Sequence, residues 1–100
     1  MDNDAFADLC RELTDLMDLG PGEDKATLSR AKAEIFKIKL DADANAYVRE
    51  KAIEAEGNFE IWFSARRWNK EGDGGTRIRS FLHADISKLR RAWNRVHPAE

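Results

Sequence analysis

"FSARRWNKEGDGGTRIRSF", residues 63–81, is the stretch on which the fold depends. It places four arginines and a tryptophan around a glycine-rich break, Gly72-Asp73-Gly74-Gly75. Asp-Gly is a strong signal for a β-hairpin turn, because glycine adopts positive φ without steric cost. The stretch therefore predicts either a two-stranded hairpin or two helices that meet at a loop.

As a hairpin, the chain forms antiparallel strands over residues 59–68 and 76–83. Phe, Ile and Trp, which are enriched in strands, make up most of "FEIWF" in the first of them. Side chains alternate between the two faces of a strand, so one face is apolar and the other is cationic and aromatic. The second face carries Trp62, Arg66, Trp68, Arg77 and Arg79. We therefore expect an α+β fold, a small helix-rich domain in which this hairpin packs on helices.

An all-α bundle is the alternative. Asn58 can cap a helix over residues 59–71, and Thr76 can cap a second helix that runs to residue 96. Apolar residues recur at helical spacing throughout that second helix. However, it would begin with two arginines at the positive end of the helix dipole, which is unfavourable. The hairpin is preferred for that reason.

Three other segments have the periodicity of amphipathic helices. Residues 2–19 carry apolar side chains at three- and four-residue spacing and stop at a Gly-Pro-Gly sequence. Residues 44–56 and 86–97 show the same periodicity. Residues 24–40 also favour a helix, although the alternation in "IFKIKL", residues 35–40, fits a short strand equally well.

The composition is that of a small globular domain. Hydrophobic residues make up 42% of the chain and charged residues 36%, which is too hydrophobic for a disordered protein. The length fits a single domain, residues 1–100, whose small core makes a homodimer one way to bury additional surface. No segment approaches the roughly 18 apolar residues of a membrane span, and the acidic N-terminus is unlike a secretory signal. These features predict a cytoplasmic protein with no membrane contact.

The net charge of −2 is distributed unevenly along the chain. Residues 1–58 carry 14 acidic and 8 basic side chains, which gives −6. Residues 59–100 carry 5 acidic and 9 basic side chains, which gives +4. This asymmetry predicts either an anionic partner for the C-terminal part or a head-to-tail contact between copies of the chain.

Two surfaces are candidates for binding. Arginine binds carboxylates and phosphates in a bidentate manner, and tryptophan stacks on nucleotide bases. The candidate basic surface, which suits an acidic protein or a nucleic acid, consists of Trp62, Arg66, Arg67, Trp68, Arg77, Arg79, Lys88, Arg91 and Arg95. A row of carboxylates can imitate a phosphate backbone and cover a basic partner. The candidate acidic face lies on the first helix and consists of Asp4, Asp8, Glu12 and Asp15.

No catalytic motif, cofactor site or metal site is predicted. Cys10 is the single cysteine, which excludes an intramolecular disulfide and any zinc site built on several thiolates. Its apolar neighbours predict a buried thiol. The two histidines, His83 and His97, have no matched set of acidic or nucleophilic partners.

These features together predict a non-enzymatic protein–protein interaction module. We expect it to regulate or inhibit a larger protein or nucleoprotein assembly that handles nucleic acid, by blocking a surface of complementary charge. The size and composition are typical of phage-encoded anti-defence proteins, which is an association and not a mechanism. The alternative function is direct binding of nucleic acid through the Trp/Arg face of the hairpin.

Overall fold

The computed structural model describes residues 1–20, 25–64 and 75–98. Each of the helices in this part of the chain packs mainly against two neighbours, in the cyclic order α1, α2, α3, α4. The most extensive contact joins α3 to α4. The bounds of the helices are α1 (Asn3–Asp18), α2 (Lys25–Leu40), α3 (Ala46–Trp62) and α4 (Thr76–Val96). Consequently α1 lies diagonally opposite α3, and α2 lies diagonally opposite α4.

Polar side chains cap the first and third helices as the sequence requires. The Asp2 carboxylate accepts a hydrogen bond from the Ala5 backbone N–H at 2.7 Å, so Asp2 is the cap among the polar residues at the start of α1. The Asn45 side chain accepts one from the Val48 N–H at 2.9 Å and begins α3. After α1, Gly20 has a φ of 95°, which glycine adopts without strain.

The predicted α+β fold, with a hairpin over residues 59–68 and 76–83, is wrong. Residues 59–62 form the last turn of α3, and residues 76–83 form the first turns of α4. The described residues contain no β-strand. The all-α alternative is therefore the observed fold, while residues 65–74, with the end of the first predicted strand and most of the turn, lie outside the described residues.

The positions of the aromatic residues explain the difference. In a strand, Phe59 and Phe63 would face the core and Trp62 would face the opposite side. In the helical structure all three are buried, with no more than 4% of any of them exposed. A helix is the geometry that buries residues at spacings of three and four together. Their burial outweighs the strand preference of these residues and the cost of about 1 kcal/mol for Gly57 inside α3.

The helix expected over residues 24–40 is confirmed by α2, and the short strand at its end does not form. A strand would have placed Phe36, Ile38 and Leu40 on one face. Instead Ile35 and Ile38 are fully buried, while Phe36 and Leu40 are 53% and 69% exposed. This division follows helical spacing and leaves an exposed apolar pair on the outer side of α2.

Helix α4 contributes the largest fully buried side chain, Trp93. Its indole stacks on the ring of Phe6 with a centroid separation of 4.4 Å, and its Nε1 donates a hydrogen bond to the Asn3 side chain at 2.9 Å. Asp85 lies inside α4 and is buried. It accepts a hydrogen bond from the Asn58 amide of α3, so a partly buried polar pair links the two helices.

Candidate functional site

Helix α4 has two faces of opposite character. The inner face is apolar and includes Ile78, Leu82, Ile86, Leu89 and Trp93, all of which are buried. The outer face carries exposed basic side chains near both ends of the helix, and it includes Arg77, Phe81, Lys88, Arg91 and Arg95. Both sets recur at spacings of three, four or seven residues, which is why each remains on one side of a helix. The fold therefore presents a cationic stripe to solvent.

The C-terminal part of this stripe, from Lys88 to Arg95, borders a groove between α3 and α4. The groove has a volume of about 590 Å³. The residues that line it, which we define as the basic groove, are Tyr47, Lys51, Lys88, Arg91, Ala92, Asn94 and Arg95. Four of these side chains are cationic and none is acidic. The site is therefore suited to an anionic ligand.

The α3 wall of the basic groove is partly neutralised by its own helix. The Lys51 Nζ lies 3.2 Å from a carboxylate oxygen of Glu54 and 5.1 Å from the centroid of the Tyr47 ring. The hydrogen bond to Glu54 raises the pKa of Lys51 above its ordinary value, so this lysine remains protonated. Tyr47 is 45% exposed and presents an aromatic surface beside the charge.

The α4 wall carries charges that are not neutralised. Lys88, Arg91 and Arg95 are exposed, and none of them forms an ion pair with any residue in the described part of the chain. Lys88 and Arg95 are seven residues apart, which corresponds to two helical turns and about 10 Å. This wall therefore offers a short row of three cations to an external anion.

Of the predicted basic surface, only Lys88, Arg91 and Arg95 meet in this groove. Arg77 and Arg79 lie at the opposite end of α4. The guanidinium of Arg77 lies 5.7 Å from the centroid of the Phe81 ring. Three other members of the predicted surface, Arg66, Arg67 and Trp68, lie outside the described residues.

Arg79 is involved in a contact between helices. Its guanidinium lies 3.2 Å from a carboxylate oxygen of Asp18 at the end of α1. Both side chains are about half exposed, so the pair adds little stability, in the range of about 0–1 kcal/mol. Arg79 is nevertheless engaged within the bundle and is less available to a partner than the three cations of the groove.

The hairpin face on which Trp62 was expected does not form, and the structure places Trp62 in the core. Only 2% of its surface is exposed. Its Nε1 donates a hydrogen bond to the Met17 backbone carbonyl at 3.0 Å, which satisfies the indole inside the bundle. In this structure the ring is not accessible to a nucleotide base.

The predicted acidic face lies on the outer side of α1. Asp4, Asp8 and Asp15 are exposed. Asp8 pairs with Arg11 of the same helix at 3.0 Å, and Glu12 pairs with Arg30 of α2. Asp4 and Asp15 form no ion pair with the described residues, so the face keeps part of its charge.

Sequence reasoning missed the residues that complete the groove on the α3 side. Tyr47 and Lys51 are four residues apart and therefore share one face of a helix, which the spacing alone could have indicated. What the spacing could not indicate is that this face lies beside Lys88 and Arg95. The proximity of Tyr47 and Lys51 to Lys88 and Arg95 depends on how α3 and α4 pack against each other. Asn94, the remaining polar residue of the groove, was also missed.

The predicted buried thiol is confirmed, because only 2% of Cys10 is exposed. Burial raises the pKa of the Cys10 thiol from 9.0 to about 12, so it is not a nucleophile at neutral pH. Within residues 1–20, 25–64 and 75–98, no three or more histidine, cysteine or carboxylate side chains are grouped so that they could hold a metal ion. None of the helices described here has the length and apolar character needed to cross a membrane.

Comparison with protein-family models, with curated proteins and with solved structures finds no match for the chain. Its function must therefore be inferred from the basic groove and from the charges around it.

Proposed function

We propose that the protein is a non-enzymatic interaction module that binds an acidic surface of a larger protein assembly through the basic groove. One observation carries this proposal: Lys88, Arg91 and Arg95 form a cationic row with no intramolecular ion pair in the described residues. Exposed cations at three- and four-residue spacing repel one another on a helix. An acidic partner removes that repulsion and adds charge-assisted hydrogen bonds.

The groove also offers contacts that are not ionic. Tyr47 is 45% exposed and lies against the Lys51 ammonium, whereas Ala92, which also lines the groove, is buried. Aromatic and arginine side chains are the types that contribute most to protein–protein interfaces. An acidic segment that also carries apolar side chains fits this combination better than a purely ionic ligand does.

Two observations favour a protein partner over a nucleic acid. Trp62, which was expected to stack on bases, is buried. The chain as a whole carries a net charge of −2, whereas proteins that bind nucleic acid directly are basic over the domain. Direct binding of nucleic acid stays the alternative prediction. The regulation or inhibition of a nucleic-acid-handling assembly, of phage origin or not, stays a prediction from size and composition.

The test is fluorescence anisotropy with a labelled peptide rich in Asp and Glu and containing one or two aromatic residues. Arg91→Ala and Arg90→Ala form a matched pair, because the two arginines are neighbours on α4. Arg91 lines the basic groove, whereas Arg90 lines a shallow depression toward α1 beside Cys10. We expect Arg91→Ala to weaken peptide binding about threefold, as the loss of one exposed ion pair does, and Arg90→Ala to leave it unchanged.

A stronger variant and a second ligand complete the test. Lys88→Glu/Arg91→Glu reverses the charge of the α4 wall and should abolish measurable peptide binding at physiological salt. Equal effects of the Arg90 and Arg91 substitutions would contradict the proposal, since net charge and not the groove would then control binding. Labelled oligonucleotides are titrated in parallel. Tighter binding to them, with log affinity falling linearly with log salt, would replace the protein partner with a nucleic acid.

A further inference from the structure

The outer face of α1 and the α4 wall of the basic groove carry complementary rows of charge with the same spacing. Asp8 and Asp15 are seven residues apart on α1, and Lys88 and Arg95 are seven residues apart on α4. Each interval is two helical turns, about 10 Å. Glu12 divides the interval on α1 into steps of four and three residues. Arg91 divides the interval on α4 into the same steps when α4 is followed in the opposite direction, from Arg95 to Lys88.

These two rows do not pair within one molecule. The contact between α1 and α4 is made by their inner sides, where the ring of Phe6 stacks on that of Trp93. The acidic row lies on the exposed side of α1, and the cationic row borders the groove on the side of α4 that faces α3. No ion pair joins a carboxylate of α1 to Lys88, Arg91 or Arg95.

We infer that a second copy of this chain can occupy the basic groove, with the outer face of its α1 helix lying antiparallel to α4. Asp8 of one copy then lies opposite Arg95 of the other, Glu12 opposite Arg91, and Asp15 opposite Lys88. This inference rests on the proposed function, because it uses the same groove and the same preference for carboxylates. It adds the identity of one acidic occupant.

The existing ion pairs leave Asp8 and Asp15 available for this contact, whereas Glu12, which is 29% exposed, pairs with Arg30 of α2 and has to exchange that partner. Asp15 forms no ion pair in the described residues. The partner of Asp8 is Arg11, and both of these side chains are 70% exposed. Exposed pairs of this kind contribute little and exchange readily for another partner. The charges of Asp8 and Asp15 are therefore available without unfolding any part of α1.

The two surfaces lie on different sides of the molecule, so the contact is heterologous. Each copy that donates its acidic face keeps its own groove open, and each copy that accepts keeps its own acidic face free. Association therefore produces head-to-tail assemblies, which are rings if the rotation between neighbouring copies closes and open chains if it does not. Because the contact is ionic and exposed, salt weakens it strongly.

The experiment is sedimentation velocity over a range of protein concentrations, in about 0.01 M and about 1 M salt, between which the Debye length falls from about 30 Å to about 3 Å. We expect the weight-average mass of the full chain to rise with concentration at low salt and to return to that of a monomer at high salt. A monomer at every concentration in low salt would overturn the inference.

Two charge-reversed variants test the geometry. The groove variant, Lys88→Glu/Arg91→Glu, keeps its acidic face, and the face variant, Asp8→Lys/Asp15→Lys, keeps its groove. Each alone should remain monomeric at low salt. Mixed together they should form dimers that do not extend. The acidic face of the groove variant can bind the groove of the face variant, and the other two surfaces of the pair are reversed in charge. Self-association of either variant to the extent of the wild type would overturn the inference.

Controls separate this inference from the proposed function. Far-UV circular dichroism confirms that each variant is folded, and Arg90→Glu should still self-associate, since Arg90 lies outside the groove. The acidic peptide is also titrated into the face variant, whose groove is intact. Peptide binding without self-association of the wild type would refute the second copy as occupant and support the proposed function. Failure of both peptide binding and self-association would refute both.

Discussion

Helices α2 and α4 are both strongly basic, yet they use their charges in different ways. Helix α2 has five basic side chains and one acidic one, and α4 has six basic side chains and one acidic one. They occupy opposite corners of the bundle, each between the two acidic helices α1 and α3. The number of charges and the neighbouring helices are therefore similar, and the difference lies in which faces meet.

On α2, four of the five basic side chains have carboxylate partners. Lys37 pairs within the helix, and the others pair with α1 or α3. The pairs are Arg30–Glu12, Lys32–Glu60, Lys37–Glu34 and Lys39–Glu56. In addition, Arg49 of α3 donates hydrogen bonds to the backbone carbonyls of Lys39 and Asp41 at the end of α2. The charges of α2 thus fix the helix in the bundle.

Helix α4 contacts a different side of α3 from the side that contacts α2. The carboxylates Glu56 and Glu60 of α3 face α2, while the side that faces α4 offers Tyr47, Lys51 and Asn58. The α3–α4 contact is therefore held by apolar packing and one partly buried polar pair, and the cations of the α4 wall stay unpaired. The stretch of α4 from Lys88 to Arg95 becomes a candidate binding surface because no neighbouring helix supplies a counter-charge to its cations in the described residues.

The largest expected effect tests the structural role of the inner face of α4. Trp93→Ala should lower the free energy of unfolding by about 3–5 kcal/mol, because it removes a buried ring and leaves a cavity. Phe81→Ala, on the exposed face of the same helix, is the matched control and should change it by no more than about 0.5 kcal/mol. Urea unfolding followed by circular dichroism measures both. Similar losses would mean that the two faces of α4 are not distinct.

The next effect tests how α3 and α4 are held together. Asn58→Ala should lower the free energy of unfolding by about 1–3 kcal/mol, because it leaves the buried Asp85 carboxylate without its hydrogen bond from α3. The double variant Asn58→Ala/Asp85→Ala should be more stable than the sum of the single substitutions predicts. Strict additivity in this double-mutant cycle, measured by urea unfolding, would mean that the pair does not link the helices.

The smallest expected effect tests the comparison of α2 with α4 directly, because removing one charge should change the stability in opposite directions on the two helices. Lys39→Gln breaks a pair with Glu56 and should destabilise the protein by about 0.2–1 kcal/mol. Arg91→Gln relieves repulsion from Lys88 and Arg95 and should stabilise it by about 0.2–0.5 kcal/mol at low salt. Thermal unfolding at low and high salt measures both, and high salt should reduce both differences. Destabilisation by both substitutions would show that the α4 charges also hold the bundle together.

The sequence was sufficient for those elements whose periodicity has only one interpretation. The helices predicted at residues 2–19, 44–56 and 86–97 fall in α1, α3 and α4, apart from one or two residues at their ends. Residues 59–62 were misassigned because "FEIWF" contains strand-favouring residues whose positions fit both a period of 2 and a helical turn. Residues 76–83 were misassigned with them, as the second strand of the same hairpin. Only the packing of Phe59 and Trp62 against the other helices decides between them, and that information is not local.

The candidate site shows the same limit. The row of Lys88, Arg91 and Arg95 follows from helical spacing and was predicted. The predicted partnership of these residues with Trp62 depended on the hairpin, and the helix places that ring in the core instead. The actual neighbours, Tyr47 and Lys51, come from a helix about forty residues earlier in the chain. A single sequence does not specify which faces of two distant helices meet.

The separation of the two faces of α4 has a consequence for how this protein can change over time. The side chains that stabilise the bundle and the charged side chains that line the groove are different residues of the same helix. Substitutions at Lys88, Arg91 or Arg95 can therefore alter the charge of the groove, and with it the partner proposed above, while the core residues and the fold stay constant. A protein built in this way can follow a partner whose surface diverges, and it can equally be retargeted in the laboratory by randomising one helix face.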